Sequence, residues 1–218
     1  MPQLGFACTA AVPEPYATSP SLLMTLRVSE STGVRMHTVA LRCQLRIEPH
    51  RRRYSANEAS RLGDLFGEPS RWGDTLKPMQ LATIGVMVQG FTDSIDVPMS
   101  VPMSADTEVA TGKYFHGLDD GDIPLLMLFS GTAFYHTEAG IQVELVPWHL
   151  EVKYQLPVTV WRQVMDQHFP DSTWLSVRNE THNALQRYRA ERGTLNWDDT
   201  VADLLKRVDP SQLNEAPS

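Results

Sequence analysis

The chain reads as a mainly β, α+β protein: an antiparallel β-sandwich with one short inserted helix and a C-terminal helical appendage. Three observations predict it. Residues 4–156 repeatedly alternate apolar and polar side chains with a period of two, as strands with one wet face do. Turn-forming residues punctuate these runs. After Leu156 the apolar period lengthens to that of a helix. Strands first and helices afterwards make a sandwich with an appended helical part. The expected division is a sandwich over 1–156 with its helix near 55–66, a helical segment packed on it over 157–208, and a flexible tail over 209–218.

The 218 residues suit one domain with an appendage, and 42% hydrophobic with 21% charged residues is ordinary for a globular protein. The formal charge of -7, from 19 Lys and Arg against 26 Asp and Glu, argues against a nucleic-acid partner. Two cysteines, Cys8 and Cys43, form neither a disulfide framework nor a zinc motif, and both fall on apolar strand faces, where free thiols are expected. The N-terminus has no basic leader before an apolar core, and no run approaches a membrane span, so no membrane insertion and a cytoplasmic location are expected.

The first strand carries Leu4, Phe6 and Cys8 on one face, and the second Met24, Leu26 and Val28. Gly33 in SESTG turns the chain into the cleanest alternation, with Val39, Leu41, Cys43, Leu45 and Ile47 opposite Arg42, Gln44, Arg46 and Glu48. These last two strands are expected to form a hairpin. Ser55 and Glu58 form a capping box for a helix burying Ala59, Leu62, Leu65 and Phe66, and Gly67 stops it. Strands resume at Ile84–Val88 and at Ile95–Met103, where Pro98 and Pro102 predict either a sheet edge or proline positions turned away from the partner strand. IPLLMLFSG is apolar on both faces, which predicts a central, doubly covered strand over Leu125–Phe129, with a turn or bulge at Ser130–Gly131. A change of phase at Pro147 predicts a bulge in the last strand. Trp148 and Trp161 are expected in the core. Helices follow through Trp161 to His168, through Thr181 to Gly193, and from Asn196 as cap along Trp197, Val201, Leu204, Leu205 and Val208.

Few residues suggest chemistry. Ser130 lacks the G-x-S-x-G setting of a mounted nucleophile, and LDDGD, 118–122, is too short for a calcium loop. His136 with Glu138, and His149 with Glu151, place possible metal ligands two apart on a strand face, but in no recognised ligand motif. No cofactor is implied. The densest positive run, EPHRRRY, lies between the best strand and the capped helix. It is either a solvated strand end or a patch for an acidic protein partner, nucleic acid ranking last because no aromatic platform accompanies it. Trp72, beside Arg71 in a loop, is either an interface anchor or a plug over the sandwich end.

The blocks ALRCQLRIEPHRRRYS, FGEPSRWGDTLKP, IPLLMLFSGTAFY and VPWHLEVKYQLPVTVW resemble an uncharacterised actinobacterial family, a domain of unknown function, over about Leu4–Val208. The resemblance implies a setting beside genes for nickel-iron hydrogenases and their maturation factors, and it transfers no catalytic residue. The resulting expectation is a non-enzymatic interaction or assembly accessory factor that binds a protein partner, such as a hydrogenase subunit or maturation factor, through Arg51, Arg52, Arg53, Arg71 and Trp72. The rivals are a ligand- or metal-binding sandwich, possible enzyme included, using His136, Glu138, His149 and Glu151, and a structural subunit of a larger complex.

Overall fold

The structure is a computed structural model and describes residues 2–103, 108–170 and 177–208, so the expected flexible tail at 209–218 lies outside the described residues. Among the described residues, eight strands make two antiparallel sheets. β1 (Leu4–Pro13), β2 (Ser21–Glu30) and β5 (Ser94–Pro102) form one, in the order β1-β2-β5. The other runs β4 (Met79–Val88), β3 (Met36–Ile47), β6 (Asp122–Thr137) and β7 (Gly140–Leu145), with β8 (Glu151–Pro157) also on β6. Alternation sets which side chains meet between the sheets. Leu22, Met24, Leu26 and Val28 of β2 are fully buried, as are Val39 and Ile47 of β3. Phe6 of β1 stacks on Phe129 of β6 with ring centres 4.4 Å apart, joining the two layers.

The expected β2–β3 hairpin does not form. β2 pairs with β1 and β5, whereas β3 pairs with β4 and β6, so the SESTG turn carries the chain from one sheet to the other. Buried Glu30 organises the crossing. Its carboxylate accepts the Gln3 amide at 2.8 Å, the Thr32 hydroxyl at 2.6 Å and the Val34 amide at 3.0 Å. Burial by itself would raise the Glu30 carboxyl, yet these donors hold it down to about 2.

β6 is central, as expected, but only one face is fully covered. Ile123, Leu125, Met127 and Phe129 are buried, while Leu126 and Leu128 on the opposite face are half-buried. There is no turn at Ser130–Gly131. The strand continues to Thr137, and Gly131 marks the place where its neighbour changes from β8 to β7. Gly131 opposes Leu41, and a Cβ there would lie 2.1 Å from the Ala40 carbonyl oxygen, so only glycine permits this approach. The phase change at Pro147 is correspondingly not a bulge. It separates two strands that share one side of β6.

The prolines of β5 sit where expected, on an edge strand. The Met103 amide donates to Pro20 on the β2 side, so alternation turns positions 98 and 102 outward, where their lack of N–H costs no bond to β2.

Helix α1 (Ala56–Phe66) has the expected capping box, and Gly67 ends it with a φ of 74°. Short helical turns at Pro69–Arg71 and α2 (Trp72–Thr75) follow. A helix not anticipated from the sequence, α3 (Glu108–His116), packs on α1 and buries Tyr114 and Phe115 completely or nearly so. Helix α4 (Val158–His168) packs on β1, β2 and β8 and belongs with the sheets in one compact unit, Met1–Ser172. The helical segment expected over 157–208 is therefore divided, because α4 uses its apolar face against the sandwich. α5 (Asn179–Arg192) and α6 (Trp197–Val208) fall in a second unit, Thr173–Ser218, and contact each other. There Gly193 ends α5 in the left-handed region, the Asn196 side chain accepts the Asp199 amide at 2.7 Å, and the Tyr188 hydroxyl donates to Asp203 at 2.6 Å.

Candidate arginine surface at the end of the sandwich

The run EPHRRRY leaves β3 and forms a 3-10 turn over Pro49–Arg51. Its three arginines are not equivalent. The Arg52 side chain is 8% exposed and reaches inward. It donates to Glu58 at 2.5 Å, to the Asp122 carbonyl at 2.7 Å and to the Asp120 carbonyl. Glu58, 4% exposed, is the N3 residue of the capping box, so one carboxylate serves the Ser55 amide at 2.8 Å, the Asp119 amide at 3.0 Å and Arg52. Burial pushes the Glu58 carboxyl up, but those three donors outweigh it and hold the group below the usual glutamate range.

This pair binds the arginine turn to α1 and to the LDDGD loop. Arg162 of α4 donates to the Leu118 carbonyl at 3.0 Å, and Arg61 pairs with Asp119, so the loop is clamped by arginines from three segments. Gly121, at a φ of 81°, makes its tight turn possible. The sequence shows these acidic residues but not the arginines that collect their carbonyls.

Arg51 and Arg53 point outward. Arg51 is 44% exposed and meets buried Glu48 at 2.8 Å, an ion-pair contact not aligned as a hydrogen bond. Trp72 is half-buried rather than displayed. Its indole N–H donates to the Gly67 carbonyl at 2.9 Å, and its ring meets Tyr54 edge-on at 5.1 Å and Phe66 at 6.1 Å. Tyr54 donates to the Pro49 carbonyl at 2.8 Å and its hydroxyl lies 3.0 Å from that of Tyr114, which is fully buried; burial first, then the second phenol, pushes the Tyr54 hydroxyl far up. Trp72 thus braces the arginine turn from below, with Arg71 exposed beside it. The five expected residues come together at one end of the sandwich, and they divide into exposed cations (Arg51, Arg53, Arg71) and supports (Arg52, Trp72).

The histidine–glutamate pairs do not converge. Among the described residues no three of His, Cys, Asp and Glu are placed to hold one metal ion. Glu138 lies in the β6–β7 turn, His149 in the connection to β8, and Glu151 beside Lys153 at 3.4 Å. His136 instead meets His37, ring centres 5.2 Å apart, beside a shallow cleft of about 400 Å³ that Arg35 and Phe91 also line. Cys8 and Cys43 are free, and burial pushes their thiols up to about 11 and about 12, which makes them poor nucleophiles. Trp161 is buried, but Trp148 is 89% exposed, against expectation, because the chain leaves the sheet between β7 and β8 there. No helix among the described residues is long and apolar enough to cross a membrane.

No curated protein matches the chain. Among solved structures, β-glucosidase 3B from Thermotoga neapolitana is similar in its complexes with α-D-glucose, with glucose and with glycerol. Each match has 9% identity and a TM-score of 0.27, covering 71% of this chain and 17% of that one. The chain thus spans about a sixth of the glucosidase, and a likeness this faint carries no argument about activity. A family model does match, over residues 1–213, and it shows that the chain belongs to the family of unknown function DUF6084.

Proposed function

We propose that this protein is a non-enzymatic interaction module, an accessory or assembly factor that binds an acidic surface of a protein partner through Arg51, Arg53 and Arg71. The observation that carries the reading is the buried Arg52–Glu58 pair. It immobilises the turn from inside, so the flanking arginines are presented from a rigid base, and less conformational freedom is lost when a partner carboxylate pairs with them. Trp72 supports that base and presents its exposed edge beside Arg71. The partner class that the resemblance implies is a nickel-iron hydrogenase subunit or maturation factor of an actinobacterial cell, met in the cytoplasm, with no nucleic acid involved.

The test is affinity capture from the cells that make the protein, in low salt, with the native chain and with a variant reversing Arg51, Arg53 and Arg71 to glutamate while keeping Arg52. Retention of a hydrogenase subunit or maturation factor by the native chain alone is expected. Equal retention by both folded baits overturns the arginine surface. Retention of nothing by folded native bait overturns the interaction reading.

A further inference from the structure

We propose that the free edge of β7 is the seam of a symmetric dimer, in which β7 pairs antiparallel with β7 of a second copy about a twofold axis at Val143. Among the described residues β7 pairs with β6 alone. Among the described residues of the unit Met1–Ser172 it is an edge without the usual protections: no proline, no charged side chain on the outer face, and no further strand paired to it. Ile141, Val143 and Leu145 share that outer face and are 48%, 60% and 74% exposed. The apolar surface runs inward along one cross-strand row, from Leu145 through Thr132 and Ala40 to Met87, which is 66% exposed. A patch of this kind is a signature of an interface.

Backbone alternation says which groups are free. The β6–β7 turn has two residues, Glu138 and Ala139, so Thr137 and Gly140 are the hydrogen-bonded pair that closes it. Its neighbour, His136–Ile141, is then an unbonded pair, and the His136 amide indeed donates the other way, to the Arg35 carbonyl at 2.9 Å. Gly140, Gln142 and Glu144 therefore spend their backbone groups on β6. Ile141, Val143 and Leu145 turn theirs to the open edge.

A second copy fits these groups in a particular register. With Val143 opposite Val143, Ile141 opposes Leu145 and Gln142 opposes Glu144. Every outward amide and carbonyl then has a partner, because Val143–Val143 and Ile141–Leu145 fall at bonded positions. The apolar rows of the two copies become one continuous face. No like charges meet, since Glu144 faces the neutral amide of Gln142. A partner strand of arbitrary sequence supplies no such match, which is the argument for a second copy as the occupant.

Sedimentation of the full chain between about 1 and 200 μM tests the seam, a range suited to an interface of modest area. A reversible dimer is expected. Val143→Lys places two ammonium groups face to face at the axis and should weaken the dimer by about a hundredfold or more. Val143→Asp should do the same, and an equimolar mixture of the two variants should regain a dimer. Position 143 is mostly exposed, so both variants should keep the native melting temperature within a few degrees. Gln142→Glu should weaken the dimer less, about fivefold, through opposed carboxylates. A native chain that is monomeric throughout, or a Val143→Lys chain that dimerises as well as the native one, overturns the proposal.

Discussion

The arginine turn and the β7 edge are both surfaces open to a partner, but they are built in opposite ways. The turn is polar outside and held from within by a buried ion pair, four backbone carbonyls and amides, and an aromatic cluster of Tyr54, Phe66, Trp72 and Tyr114. The β7 edge is apolar outside and, among the described residues, is paired only with β6, beyond Gly131. One surface is shaped by the core beneath it, the other by an edge that no further described strand pairs with. Disturbing the turn should therefore appear first in stability, and disturbing the edge first in association.

The largest expected effect is at Arg52. Removing it leaves the Glu58 carboxylate buried without its cation, a loss of about 3–5 kcal/mol. Arg52→Ala should lower the denaturation midpoint accordingly in urea unfolding, whereas reversing exposed Arg53 should change it by less than about 0.5 kcal/mol. Equal effects at the two positions would mean that the turn is not braced from inside. Gly131→Ala comes next. A Cβ 2.1 Å from the Ala40 oxygen forces β6 away from β3, at about 1–3 kcal/mol. Because β7 hangs on the second half of β6, this variant should also speed hydrogen exchange across Thr132–Leu145 while amides of the arginine turn stay protected.

Much of this architecture was legible in the alternation, and the failures share a cause. A period of two tells which face of a strand is buried, not which strand lies beside it. β2 and β3 each read correctly as half-buried strands, yet their hairpin was wrong, because the choice of sheet is made by Glu30 capturing amides on both sides of the crossing. The helix α3 escaped notice because Val109, Thr111 and Gly112 are poor helix formers and its reason to exist is tertiary, the burial of Tyr114 and Phe115. At the candidate site the clustering of arginines was visible, but three identical neighbours carry no mark of which one turns inward. The capping box named Glu58, and only the fold shows that its carboxylate has room for Arg52. Trp148 misled because an apolar side chain in strand-like sequence looks like core until the strand is seen to end at Leu145.

Acid should also separate the two surfaces. The Glu58 carboxyl is held below its usual range in the folded chain, so its stabilising contribution is complete above the ordinary glutamate range and is lost as the pH falls through its folded value. Glu30 behaves alike, its contribution fading between about 4.5 and about 2. Melting temperature followed from pH 6 downward should fall through this window, less so in Glu58→Gln than in the native chain. A native profile that stays flat down to about pH 3 would show that neither carboxylate holds its donors as described.

The smallest expected effect concerns salt, and it bears most directly on the contrast. Contacts through exposed Arg51, Arg53 and Arg71 lie in water, and raising the salt from about 0.05 to 0.5 M shortens their range from over 10 Å to under 5 Å. Partner capture by the turn should decline several-fold. The β7 seam joins apolar side chains and backbone amides, and the two copies each carry a net charge of -7, so screening relieves repulsion between them. Its dimer should hold or tighten slightly in the same series. The comparison is made on one sample by sedimentation and capture side by side. If both associations weaken together, the seam is electrostatic and the twofold pairing of apolar strands is the wrong account of β7. If neither changes, the arginines are spectators and the turn is simply a well-built corner of the sandwich.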